Sequence, residues 1–130
     1  EQRLLMNQQQ DINTFGLIGT QAAYETGREW LSQLLPYIEK NAATATSFFE
    51  KHLPQLGVMT IEGTYLMWLD FSAYEANDEL LEQTLITKGK VVLNPGISFG
   101  PAGHAHMRLN LACPEETLLD GLMRIKKAFT

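Results

Sequence analysis

The chain has 130 residues, 45% of them hydrophobic and 19% charged, which is typical of one globular domain with its own core. Its formal net charge of −5, from 10 basic and 15 acidic residues without a run of lysine or arginine, argues against a nucleic-acid partner. No apolar stretch approaches the roughly 20 residues that cross a bilayer, and one cysteine cannot form an internal disulfide, so we expect a cytoplasmic protein without a membrane partner.

The first 20 residues combine an amphipathic opening with a glycine-punctuated stretch from Asn13 to Thr20. Glycines between two helical patterns predict a loop, so we expect the next helix to begin near Thr20. The chain opens on Glu1 with the amphipathic pattern already under way. We therefore expect a piece of a longer polypeptide, in which residues 1–20 are the tail of a larger preceding domain.

Residues 21–53 predict a long linking helix, because apolar side chains recur there at helical spacing. A single helix of this length spans roughly 48 Å at about 1.5 Å per residue, so we expect it to bridge two bodies. Pro36 lacks the N–H of an internal helix bond, and we expect a kink or break at this residue. One bent helix and two abutting helices both remain open.

Residues 54–130 predict a small domain of the α/β (α+β) class. Strands are expected where β-branched, aromatic or alternating residues occur, over residues 58–62, 65–71, 90–93 and 106–112. Asn77 is expected to cap a helix that ends at Gly89, and Pro114 to start the last helix. The order β-β-α-β-β-α describes a small mixed or antiparallel sheet with helices packed on one side.

The last predicted strand carries the candidate binding residue, Arg108. Alternation places Met107 and Leu109 on one face and Arg108 on the other, beside a glycine-rich loop. An arginine in that position is suited to hold a planar carboxylate through two parallel hydrogen bonds. Alternation alone favours an ordinary exposed strand arginine. From the residues, both this interpretation and a carboxylate-binding arginine therefore remain possible.

Other reactive side chains give weaker patterns. His104 and His106 are two residues apart without a third ligand at a diagnostic spacing, so we expect hydrogen-bonding or solvent-facing histidines and no metal site. Cys113 has no paired histidine and acid nearby, and we expect an inert thiol. The residues alone therefore support an α/β module with a candidate carboxylate site.

Three motifs occur in an order that resembles a known family: Gly63-Thr64-Tyr65-Leu66-Met67-Trp68-Leu69-Asp70, then Lys90-Val91-Val92-Leu93-Asn94-Pro95-Gly96 with Phe99-Gly100, then Arg108-Leu109-Asn110-Leu111-Ala112-Cys113-Pro114. The chain resembles the C-terminal part of the fold type I pyridoxal-phosphate (PLP) enzymes, the class I/II aminotransferase superfamily. Within it the chain is similar to the cystathionine β-lyase group that includes the maltose-regulon modulator type. Upstream residues also resemble this group, namely Ala22-Ala23-Tyr24, Gly27, Trp30-Leu31, Tyr37 and Asn41.

The resemblance implies the small C-terminal domain of the PLP-dependent transferase fold, preceded by a long bridging helix, with PLP held by a large domain of the same polypeptide. It places the family's arginine for the substrate α-carboxylate on Arg108. The lysine, aspartate and phosphate-binding residues that hold PLP belong upstream in this family, so no catalytic or cofactor-binding residue is assigned here. We expect the isolated chain to be inactive and not to bind PLP covalently.

The activity implied by the resemblance is that of a C–S β-lyase of amino-acid metabolism, which converts an amino acid to pyruvate, ammonia and a thiol. A PLP-dependent aminotransferase of the same superfamily is the first alternative. A non-catalytic ligand-binding or regulatory module is the alternative from another class. The family implies a homodimer for the full-length enzyme, and separation from the large domain is expected to expose some of Tyr24, Trp30 and Leu34.

Overall fold

The computed structural model describes residues 13–130, which belong to two compact units. The first unit ends at Pro36 and the second is Tyr37–Thr130. No helix in the described part of the chain is long and apolar enough to span a membrane. The predicted division into residues 1–20, 21–53 and 54–130 stays a prediction, and its first segment lies outside the described residues as far as residue 12.

Helix α1 spans Thr14–Thr26, so the loop predicted from residue 13 to residue 20 is wrong. The side-chain oxygen of Asn13 accepts a hydrogen bond from the Gly16 N–H at 2.7 Å, which satisfies one of the free donors at the helix start. Gly16 and Gly19 lie inside the helix, and neither has a positive φ. The cap determines the local structure here, and the glycines are tolerated within it.

Helix α2 spans Arg28–His52 and contains Pro36 without ending there, so the helix is not broken at the proline. The interruption lies one residue before α2, at Gly27, where an added Cβ would collide with the carbonyl oxygen of Ala23. Proline has a φ close to that of a helix and removes one N–H donor, which a 25-residue helix accommodates. Two abutting helices are therefore correct, although they meet at Gly27.

Four short strands of the second unit form an antiparallel sheet: β1 Gly57–Val58, β2 Leu66–Asp70, β3 Asn94–Pro95 and β4 His106–Asn110. Their order is β1-β2-β4-β3, so β4 is flanked on both sides. The strand predicted for residues 90–93 is wrong, because Lys90 adopts a left-handed φ of 57° and pairing starts only at Asn94. The strand predicted for residues 58–62 is reduced to β1.

Helices cover one face of this sheet. Helix α3 spans Asp78–Thr84 and continues as a π-helical turn, Leu85–Gly89, and helix α4 spans Glu115–Phe129. The core joins side chains of α2, α3 and α4 to alternate residues of β2 and β4, among them Phe49, Met67, Leu69, Leu81, Met107, Leu109, Leu122 and Ile125. The predicted α/β class and the order β-β-α-β-β-α are confirmed.

Candidate functional site

Arg108 lies on the face of β4 that points away from the core. Its strand neighbours Met107 and Leu109 are only 1% and 7% exposed and belong to the core. Arg108 is paired in register with Trp68 of β2 on one side and with Asn94 of β3 on the other. The predicted orientation of Arg108 is confirmed, and the arginine occupies the middle of a row that crosses three strands.

The Arg108 guanidinium is oriented by two neighbours. Nη2 donates a hydrogen bond to the side-chain oxygen of Asn94 at 3.3 Å. The guanidinium carbon lies 4.4 Å from the centre of the Phe99 ring, within the range of a cation–π interaction. Phe99 in turn packs against Trp68, with ring centres 5.5 Å apart in an edge-to-face arrangement.

The charge of Arg108 has no acidic partner among residues 13–130. Its buried Nε has no hydrogen-bond partner within residues 13–130, and the acceptor of the bond to Asn94 is a neutral amide oxygen. A partly buried cation that keeps free donors favours an anionic ligand, because burial strengthens an ion pair relative to water. The geometry around Arg108 therefore leaves its guanidinium able to bind an anion.

Two cavities adjoin these side chains. A cavity of about 300 Å³ is lined by Asn94, Arg108 and Asn110, together with residues of α4. A second cavity, of about 240 Å³, is lined by Trp68 and His106 of the same sheet face and by Phe99 and Ala102 of the adjoining loop. The sequence singled out Arg108 as the candidate binding residue. The structure adds Trp68, Asn94 and Phe99 around it.

His104 and His106 form hydrogen bonds at the entry to β4. His104 Nδ1 lies 2.6 Å from Asp78 Oδ2, and His106 Nδ1 lies 2.6 Å from the His104 carbonyl oxygen. Residues 13–130 contain no group of three potential metal ligands. The Ala105 N–H donates to Asp78 Oδ1 at 2.8 Å, and this bond, followed by His104, lowers the pKa of the Asp78 carboxyl.

Asn41 supports the other end of β4, a role that sequence analysis missed. It is completely buried, and its Nδ2 donates to the carbonyl oxygens of Leu111 and Cys113 at 2.8 and 3.0 Å. The signal in the sequence was an asparagine on the helix face that also carries Ile38 and Ala45, both buried. The Cys113 thiol is partly buried, and this desolvation raises its pKa, which suits the inert thiol expected from the sequence.

No protein-family model matches the chain. Cystathionine β-lyase PatB of Bacillus subtilis is 46% identical over 119 residues, covering 92% of this chain and 31% of that protein. Cystathionine β-lyase of Corynebacterium glutamicum is 38% identical over 116 residues, covering 88% of this chain and 30% of that protein. The crystal structure of cystalysin from Treponema denticola, which contains a PLP cofactor, has a TM-score of 0.83 and 33% identity, covering 89% of this chain and 29% of that one. Some matched relatives have aminotransferase names.

The fold is that of the C-terminal domain of the PLP-dependent transferases. Within that class, the chain belongs to the family of cystathionine β-lyases and related PLP-dependent lyases and aminotransferases. It spans about 30% of the length of the curated relatives it matches. The family and fold class expected from the three sequence motifs are confirmed.

The cavity lined by Arg108 offers a guanidinium to a substrate and, among residues 13–130, no lysine amine to PLP. No lysine lines either cavity beside Arg108 in the part of the chain that the structure describes. Lys40 forms an ion pair with Glu115, its Nζ lying 2.7 Å from Oε2, and it does not line the cavity of Arg108. We therefore assign no reaction step through PLP to the residues of this chain.

Proposed function

We propose that the chain supplies the α-carboxylate anchor of a PLP-dependent C–S β-lyase, which converts an amino acid to pyruvate, ammonia and a thiol. The main support for this proposal is the geometry of the Arg108 guanidinium, which has no acidic partner among the described residues and is oriented by Asn94 and Phe99. Relatives named cystathionine β-lyase support the choice of reaction. The full-length enzyme is proposed to be a cytoplasmic homodimer, in keeping with the family.

Arg108 contributes binding and orientation in this proposal. When bound to the full-length enzyme, PLP supplies the electron sink for bond breaking at the substrate Cα. A bidentate grip on the carboxylate fixes the rotation of the amino acid about Cα, and such positioning lowers the entropic barrier. Phe99 covers one face of the guanidinium, while the hydrogen bond to Asn94 restricts its rotation.

The test is Arg108→Ala in the full-length, PLP-loaded enzyme with L-cystathionine as substrate. Two charge-assisted hydrogen bonds are worth about 3–6 kcal/mol together, so we expect kcat/KM to fall by about 100-fold or more. Arg124→Ala is the matched control, because Arg124 pairs with Asp120 on the surface of α4. Wild-type kcat/KM in Arg108→Ala would remove the anchor role.

An aminotransferase is the second candidate, because relatives with aminotransferase names are also matched and the same carboxylate grip serves both reactions. Pyruvate release from L-cystathionine distinguishes the lyase from amino-group transfer to an added keto acid. A non-catalytic module predicts neither product from the full-length protein. The two product assays therefore separate all three functions.

A further inference from the structure

We propose that Asp78 is a positioning residue for Arg108. Its carboxylate holds the turn that leads into β4 and thereby sets the register in which the guanidinium meets a substrate carboxylate. This inference rests on the proposed anchor role of Arg108 and deepens it, because it names a residue 30 positions earlier in the chain that keeps the anchor aimed.

Both carboxylate oxygens of Asp78 are used on consecutive residues of the turn. Oδ1 accepts the Ala105 N–H at 2.8 Å, and Oδ2 lies 2.6 Å from His104 Nδ1. Asp78 is the first residue of α3, yet the helix is already capped by Asn77, whose side-chain oxygen accepts the Leu80 N–H at 3.0 Å. The Asp78 side chain is therefore free of the capping role and is directed at the turn.

The turn needs such a restraint because its backbone is unfavourable. Ala105 has a φ of 56°, a left-handed conformation that residues with a Cβ rarely adopt, and it is only 2% exposed. Its carbonyl oxygen accepts the Phe71 N–H at 2.9 Å, just after β2. Asp78 thus binds the N–H of a residue whose carbonyl group already joins the end of the neighbouring strand.

The conformation at Ala105 determines which face of the sheet receives Arg108. Ala105 immediately precedes β4, and Arg108 is the third residue of that strand. Because side chains alternate along a strand, a slip of one residue would turn Arg108 toward the core and Met107 toward the site. A smaller rotation at the turn would move the guanidinium away from Asn94 and Phe99.

The experiment measures how well the full-length, PLP-loaded enzyme distinguishes a carboxylate from an amide. Binding of a non-reactive amino-acid inhibitor and of its carboxamide is titrated in wild type, Asp78→Ala, Asp78→Asn and Arg108→Ala. In Asp78→Ala we expect the carboxylate to bind about tenfold more weakly, as for the loss of one charge-assisted hydrogen bond, with unchanged binding of the carboxamide. Asp78→Asn keeps an acceptor for the Ala105 N–H, and the expected loss is about threefold.

A second readout does not depend on ligand or activity. Hydrogen exchange of the Ala105 amide should be faster in Asp78→Ala, because its acceptor is gone, while exchange in α4 stays as in wild type. Asp120→Ala is the matched control, since it removes a helix carboxylate that pairs with Arg124 on the surface of α4. A merely structural role for Asp78 would weaken carboxylate and carboxamide binding alike.

The outcomes separate this inference from the proposed function. Wild-type discrimination in Asp78→Ala, with discrimination lost in Arg108→Ala, overturns the positioning role and leaves the anchor intact. Wild-type discrimination in Arg108→Ala overturns the proposed function itself. Should Asp78→Ala fail to fold, Asp78→Asn decides, because unchanged discrimination in that variant also overturns the positioning role.

Discussion

Replacing Asn41 by alanine should loosen the end of β4. Asn41 Nδ2 is the side-chain donor to the buried carbonyl oxygen of Leu111 at 2.8 Å and donates to Cys113 at 3.0 Å. The Cys113 carbonyl oxygen keeps a second donor, the Tyr37 hydroxyl at 3.2 Å. The substitution therefore removes the side-chain donor mainly from one carbonyl oxygen, that of Leu111.

A buried carbonyl group without a hydrogen-bond donor lowers the free energy of unfolding by about 1–3 kcal/mol, and the cavity left by the shortened side chain lowers it further. Asn41 Oδ1 is itself buried and has no hydrogen-bond partner in the described part of the chain, so its removal offsets part of the loss. We expect a net decrease of about 2 kcal/mol in the free energy of unfolding. Asn41→Asp should be worse, because a carboxylate oxygen would then face two carbonyl oxygens.

Urea unfolding followed by far-UV circular dichroism measures this change. A loss of about 2 kcal/mol lowers the midpoint by about 1 M for a slope near 2 kcal/mol/M. Lys40→Met is the matched control, because it removes the exposed ion pair with Glu115 from the neighbouring position of α2 and should leave the midpoint unchanged. A wild-type midpoint in Asn41→Ala would show that the Leu111 carbonyl group does not depend on Asn41.

Three further predictions concern the site and its surroundings. Phe99→Ala removes the ring under the Arg108 guanidinium, and carboxylate affinity should fall about two- to fivefold by inhibitor titration, as for an exposed cation–π pair; equal affinity would contradict the contact. Because burial raises the pKa of the Cys113 thiol, its alkylation at pH 8 should be slow in the native protein and fast in urea, and equal rates would refute this. Because the Ala105 N–H lowers the pKa of Asp78, this carboxylate stabilises the fold fully above about pH 4 and loses that effect as pH falls through the lower folded-state value. The stability curves of wild type and Asp78→Ala should therefore converge in acid, and parallel curves would argue against it.

Sequence periodicity predicted the features that depend on neighbours along the chain. The alternation from Met107 to Leu111 placed Arg108 on the correct face, because a strand has a period of two. The cap at Asn77 and the helix after Pro114 were also correct, since caps act within one turn. The family motifs then gave the PLP-dependent transferase fold, which periodicity alone left open.

The missed features have two physical origins. At Asn13 and Lys90 a single local interaction or backbone angle outweighed the average tendency of the surrounding residues. The bonds that hold β4 join residues far apart in sequence, 27 positions for Asp78 and Ala105 and 70 for Asn41 and Leu111. No pattern within a single segment reports a partner at that separation.

Core residues alternate with Arg108 along β4. The packing that holds Met107 and Leu109 therefore also fixes the backbone position of Arg108. In the proposed function Arg108 holds the α-carboxylate that every α-amino acid shares, whereas Ala102 at the second cavity belongs to the loop beside it. A substitution at Ala102 leaves Met107 and Leu109 packed and leaves the contacts of the guanidinium with Asn94 and Phe99 in place. The preference for one amino-acid side chain can therefore change during evolution without rebuilding the grip on the carboxylate.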